Sequence, residues 1–127
     1  MKEVLAIVRL NAMNKTKKAL ADAGITSVTA RDALGRGKGL IDIQILRGAE
    51  KGYEEAISQL GGSQRLIPKR ILTVIVPDKL VEKTVRTLIK ANQTGKSGDG
   101  KIFIMPVMDS ISVRTGLSGD ATLDDAD

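Results

Sequence analysis

Val4-Leu5-Ala6-Ile7-Val8 is a short aliphatic run between charged residues, and a run of that length predicts a buried strand. From Lys15 to Ala23 the apolar positions change to helical spacing, with Leu20 and Ala23 on the inner face. Asn14 is expected to cap this helix, and Gly24 to stop it at the position after its last turn. Ile25 to Ala33 predicts a second strand with Thr29 in its middle. Leu72-Thr73-Val74-Ile75-Val76 predicts a third, ended by Pro77. Asp78 is expected to cap a second helix, Lys79 to Asn92. Val81, Val85, Leu88 and Ile89 form its apolar stripe, and Glu82 and Arg86 a favourable i,i+4 pair. A fourth strand is expected from Lys101 to Val113. Arg114-Thr115-Gly116 then closes a domain of residues 1–116, and the acidic tail 117–127 is expected to be loose.

Between the second and third strands the pattern is irregular. Gly35-Arg36-Gly37-Lys38-Gly39 breaks regular structure. Leu40 to Leu46 partly alternates, Tyr53 to Leu60 has a short helical pattern, and Gly61-Gly62-Ser63 punctuates. Residues 35 to about 65 read as one long excursion, and loops of that length in a small domain are usually functional. The order is strand, helix, strand, long loop, strand, helix, strand. Two right-handed βαβ units in that order predict an α+β, ferredoxin-like βαββαβ fold. It has a four-stranded antiparallel sheet with two helices on one face. The second sheet face would be aliphatic and bare, so an oligomer is expected to cover it.

Composition narrows the chemistry. A length of 127 residues suits one domain with a substantial core. With one Phe, one Tyr and no Trp, that core must be aliphatic. Cys and His are both absent, which removes disulfides, thiolate nucleophiles, imidazole bases and the usual zinc ligands. A bound metal is expected to be a hard ion such as Mg²⁺, carried in with a phosphate ligand. No apolar run approaches the roughly 20 residues of a membrane span, and the charged start does not resemble a signal peptide. A cytoplasmic location is the expectation.

The net charge of +5 is unevenly distributed. Residues 117–127 hold four Asp and no Lys or Arg, so the other 116 residues carry 20 positive against 11 negative, a net +9. That balance favours anionic ligands: nucleic acid, nucleotides or carboxylate metabolites.

The sharpest candidate is Thr94-Gly95-Lys96-Ser97-Gly98-Asp99-Gly100-Lys101, three glycines and two lysines between a helix and a strand. Glycines let backbone N–H groups turn towards an anion, and lysines supply charge. The loop follows a helix and lacks Walker spacing, so it is not a P-loop, and an ordinary glycine-rich turn is the plain alternative. Gly35 to Gly39 is a second glycine-basic cluster, too short for a dinucleotide fingerprint. Pro68-Lys69-Arg70 reads equally as a solvated strand edge, and Arg114 as a surface residue. Phe103 and Tyr53 do not make a stacking platform, so nucleic acid is not expected. No motif pairs a nucleophile with a base, so no enzyme is expected.

Together these residues resemble the PII signal-transduction family over most of the chain. Gly24-Ile25-Thr26, Arg47-Gly48-Ala49-Glu50, Pro68-Lys69, Val76-Pro77-Asp78 and Arg114-Thr115-Gly116 are similar to family runs. Thr94 to Phe103 is close to the family's B-loop signature, long and specific. The resemblance implies a T-loop at about 35–65, a B-loop at 94–101 and a C-loop at 112–116. It implies a trimer with ATP or ADP in the clefts between subunits, and 2-oxoglutarate bound beside Mg-ATP. It places Gly98, Asp99, Gly100 and Lys101 on the phosphates, with Arg36, and with Arg114 from the neighbouring subunit. Thr29 and the Ile75 backbone would lie near the adenine. Lys69 would pair with a 2-oxoglutarate carboxylate, and Gly35, Gly37, Lys38 and Gly39 would line that pocket.

The chain also departs from the family pattern. Gly37 stands where a Gln usually binds both Mg²⁺ and 2-oxoglutarate, Ser112 replaces the first of two C-loop arginines, and Lys51 replaces the uridylylated Tyr. The stretch from Glu50 to Pro68 is longer than usual. These features are similar to the family's nitrogenase-associated branch, specifically the second of its two paralogues. That implies a homotrimer or a hetero-oligomer with the other paralogue, and dinitrogenase as a direct target released by 2-oxoglutarate. The alternatives are a family member acting on an ammonium channel or a nitrogen-assimilation enzyme and, in a different class, a ferredoxin-like RNA-binding module.

Overall fold

A computed structural model of the chain describes residues 1–37 and 66–124. The expected strand at Leu40–Leu46 and helix at Tyr53–Leu60 lie outside the described residues, as do Lys38 and Gly39. Strand β1 spans Lys2–Arg9, helix α1 Met13–Asp22, β2 Thr29–Gly35, β3 Ile67–Val76, helix α2 Val81–Asn92 and β4 Lys101–Pro106. The sheet order is β2-β3-β1-β4, and every neighbouring pair is antiparallel. This is the expected ferredoxin-like sheet with its two helices.

Period-two alternation divides the faces. Val4, Ala6 and Val8 of β1 and Leu72, Val74 and Val76 of β3 are buried, and they pack with Met13, Leu20, Ile25 and Leu88. The intervening residues Leu5, Ile7, Ile71, Ile75, Phe103 and Met105 fall on the opposite face, where Phe103 is 45% exposed. A polar pair also lies in the helix layer. Asn92 Nδ2 donates to Thr16 Oγ1 at 3.1 Å and to the Leu88 carbonyl at 3.0 Å, and both side chains are buried.

Several boundaries differ from expectation. Helix α1 follows a 3₁₀ turn, Leu10–Ala12, so Asn14 lies inside it and Ala12 is the residue before its first turn. Gly24 does hold the expected stop, with φ +86°. β2 begins at Thr29, not Ile25, because Ile25 turns inward and is buried in the core. Asp78 opens a 3₁₀ turn, Asp78–Leu80, and its carboxylate accepts from the chain's amino terminus and from Lys2 Nζ, each at 3.1 Å. Those cations hold its carboxyl below the usual range, the amino terminus most strongly. β4 ends at Pro106, not Val113.

Residues 117–124 are tied back, where the sequence suggests a loose tail over 117–127; residues 125–127 lie outside the described residues. An isolated bridge joins Ile111 to Ser118, Gly119 N–H donates to the Ser110 carbonyl at 3.0 Å, and Ser27 pairs with Asp124. Short polar side chains satisfy this backbone, which an acidic composition does not reveal.

Candidate functional site

The loop at 94–100 is organised from inside by one carboxylate. Helix α2 ends where Gln93 turns to extended backbone. Asp99 then accepts from Thr94 N–H at 2.8 Å, Gly95 N–H at 2.9 Å and Thr94 Oγ1 at 2.5 Å. A fourth donor comes from β1: Arg9 Nη1 at 2.7 Å. The Thr94 hydroxyl is the largest cause holding the Asp99 carboxyl well below the usual carboxylate range, and the Thr94 N–H, Arg9 and Gly95 add to it.

Gly98 and Gly100 have φ of +95° and +115°, in the region that favours glycine. A Cβ at Gly100 would lie 2.0 Å from the Ile7 carbonyl oxygen, and one at Gly98 3.3 Å from Arg9 Nη2. The loop therefore lies directly on the end of β1, and only glycine permits that approach. Lys96 and Lys101 are exposed, and among the described residues neither forms an ion pair.

Beside the loop, a cavity of about 480 Å³ opens between α2 and β4. Val85, Leu88, Ile89 and Ile104 form an apolar wall, and Asp99, Gly100 and Lys101 line the cavity on the loop side. An apolar cleft with convergent polar groups at one side suits a flat apolar ligand carrying an anionic tail.

The other residues singled out in the sequence lie elsewhere. Thr29 is the exposed first residue of β2 and pairs with Thr73; Ile75 is two residues further along β3. They belong to the β2–β3 side, whereas the glycine loop leads into β4 at the opposite edge. One chain does not bring these groups together. Arg114 is exposed in a turn where Gly116 N–H donates to the Ser112 carbonyl at 2.7 Å.

Lys69 lines a second cavity of about 560 Å³ with Leu34, Pro68 and Arg70. Arg70 forms a cross-strand ion pair with Asp32 at 2.5 Å, and its Nε has no partner. Gly35 ends β2 opposite Ile67, and Arg36 and Gly37 follow, exposed.

Two features escaped the sequence reading. Arg9, which was not singled out there, grips the loop, with Nη2 donating to the Ser97 carbonyl at 2.9 Å. Asp99 bonds back to Thr94 and Gly95 of its own loop. No group of three or more acidic, His or Cys residues able to hold a metal occurs among the described residues.

A ferredoxin-like sheet with a glycine-lysine loop beside an apolar cleft is an arrangement suited to a small anionic ligand. The comparisons narrow that reading. The family model described as "Nitrogen regulatory protein P-II" matches residues 1–117. A "Nitrogen fixation nifHD region glnB-like protein 2" from Methanococcus maripaludis is 42% identical over 123 residues, 97% of this chain and 100% of that one. Its namesake from Methanobacterium ivanovii is 39% identical, covering 94% and 97%. "Nitrogen regulatory protein P-II 1" of Escherichia coli K12 is 35% identical, covering 97% and 100%. A crystal structure of Arabidopsis thaliana PII bound to citrate superposes with TM-score 0.70 at 30% identity, covering 94% of this chain and 86% of that one. This chain belongs to the P-II family of nitrogen regulatory proteins.

Proposed function

We infer that this P-II protein reports nitrogen status by binding ATP or ADP together with 2-oxoglutarate, and that it controls nitrogenase through residues 35–65. The observation that carries the nucleotide part is the loop itself: Gly98 and Gly100 expose backbone, and Lys101 stands unpaired at the rim of an apolar cleft. Backbone donors and an unpaired ammonium meet the needs of a polyphosphate. The positions of Thr29 and Ile75 on the far side of the sheet favour a site completed by a neighbouring copy, with Arg114 reaching in from that copy. A trimer is consistent with the family, and the aliphatic sheet face offers a surface to close it.

Lys69, with no carboxylate partner among the described residues, suits 2-oxoglutarate, and the citrate held by the Arabidopsis relative supports small carboxylates as ligands. The names of the methanogen relatives support nitrogen fixation as the setting. On this reading dinitrogenase is the target, and the oligomer is a homotrimer or is shared with a second P-II-like chain. The protein acts in the cytoplasm on this reading; no helix among the described residues is long and apolar enough to cross a membrane. Among the described residues Phe103 is the one aromatic, so no stacking surface supports RNA.

Two experiments test this. Chains with Lys101→Ala and chains with Arg114→Ala, each impaired alone, are mixed and reassembled. A shared site regains full-affinity positions in the mixture, because some pairs of neighbours supply both native residues; no gain would refute the shared site. Capture of partners from native cells after ammonium addition is expected to yield dinitrogenase. An ammonium channel or assimilation enzyme in its place would redirect the target.

A further inference from the structure

We propose that Arg9 is the positioning residue of the nucleotide loop, acting as a pin that fixes residues 97–100 through Asp99 and the Ser97 carbonyl. The inference rests on the nucleotide reading above and assigns a residue to it that touches no ligand.

The geometry shows two grips by one guanidinium. Nη1 meets Asp99 Oδ1 at 2.7 Å and Nη2 meets Ser97 O at 2.9 Å. The two contacts bracket Gly98, whose absent Cβ leaves room for the guanidinium 3.3 Å away. Arg9 is the last residue of β1, a central strand paired with β3 and β4, and Arg9 itself pairs with Lys69 of β3, so the pin is anchored on a rigid element. The side chains are part-buried, 29% exposed for Arg9 and 24% for Asp99, which limits solvent screening.

The charge arrangement explains why such a pin is needed. A carboxylate at position 99 would repel phosphate if it faced the ligand. Arg9 and the N–H groups of Thr94 and Gly95 bind that carboxylate and offset its charge. Lys96 and Lys101 of the same loop are exposed and have no carboxylate partner among the described residues. Arg9 also lies opposite Lys69 in the β1–β3 register. With Arg9 committed to Asp99, Lys69 is the unpaired cation of that pair. An arginine suits the task because its planar fork reaches two acceptors at fixed separation, which a lysine ammonium does less well.

The test is a double-mutant cycle on the full chain, titrated with Mg-ATP, with amide hydrogen exchange read at Thr94 and Gly95. Arg9→Gln and Asp99→Asn are each expected to weaken ATP binding about tenfold, the scale of one charge-assisted hydrogen bond. The double variant should be no weaker than the worse single one, since one pin can be lost only once. Exchange at Thr94 and Gly95 should quicken in all three. Arg9→Lys should recover part of the affinity and, as the milder change, carries the test if Arg9→Gln does not fold. Unchanged ATP affinity in Arg9→Gln would overturn the inference. So would losses that multiply in the double variant, because Arg9 would then contact the ligand on its own. A native chain that binds no ATP would overturn the nucleotide reading itself, an outcome visible before any variant is made.

Discussion

Gly100 stands against the Ile7 carbonyl so closely that a Cβ there would lie 2.0 Å from the oxygen. Backbone cannot yield as a side chain can, and φ is +115° at the same residue. Gly100→Ala must therefore lift the loop off β1. Strain of this kind costs about 1–3 kcal/mol, and urea unfolding should show a loss on that scale. ATP affinity should fall at least tenfold. A variant with native stability and affinity would contradict the seating of the loop.

Lys101 is exposed and unpaired at the mouth of the cleft. Lys101→Ala removes a charge without uncovering a buried partner, so thermal stability should be nearly unchanged. ATP binding should weaken several-fold or more because a charge-assisted phosphate contact is lost. Calorimetric titration beside a thermal melt separates the two effects.

Asp99 gives a pH signature. Its carboxyl is held well below the usual range in the folded chain, first by the Thr94 hydroxyl. A depressed carboxyl contributes stability that is fully present above its unfolded value, about 4, and is lost as pH falls towards the folded value. The melting temperature of the native chain should thus exceed that of Asp99→Asn at pH 6, and the gap should narrow below about pH 4. Asp78 is lowered in the same direction in both proteins, so it cancels in the comparison. A gap that stays constant down to pH 2.5, well below the unfolded value of about 4, would contradict the role given to Asp99.

Thr16 and Asn92 join the two helices inside the core. Asn92→Ala leaves the Thr16 hydroxyl its bond to the Ala12 carbonyl at 2.7 Å but removes the cross-helix contact and opens a void. A loss of about 2 kcal/mol is expected by denaturant titration. Thr16→Val with Asn92→Leu should lose less than the sum of the single changes, because neither polar group is then stranded.

The fold was legible because its signals are physical and local. The runs Val4–Val8 and Leu72–Val76 alternate around a buried set, and Gly24 ends α1 by its positive φ. Cap assignments were less secure. Asn14 and Asp78 carry the right side chains, but each helix is entered through a 3₁₀ turn, and Asp78 is drawn to the amino terminus instead. The glycine loop was visible as a composition, whereas its organiser was not. Arg9 lies 90 positions from Asp99 in sequence, and no spacing rule connects them. Asp99 was expected on the phosphates. Its carboxylate has four donors within the protein, while the residue itself lines the cleft beside Gly100 and Lys101.

Titration of the purified, intact oligomer with Mg-ATP, with and without 2-oxoglutarate, tests the central claim most directly. The account predicts saturable binding of one ATP per chain, lost or sharply weakened in Gly100→Ala and Lys101→Ala. An intact oligomer that takes up no ATP or ADP at millimolar concentration would contradict it.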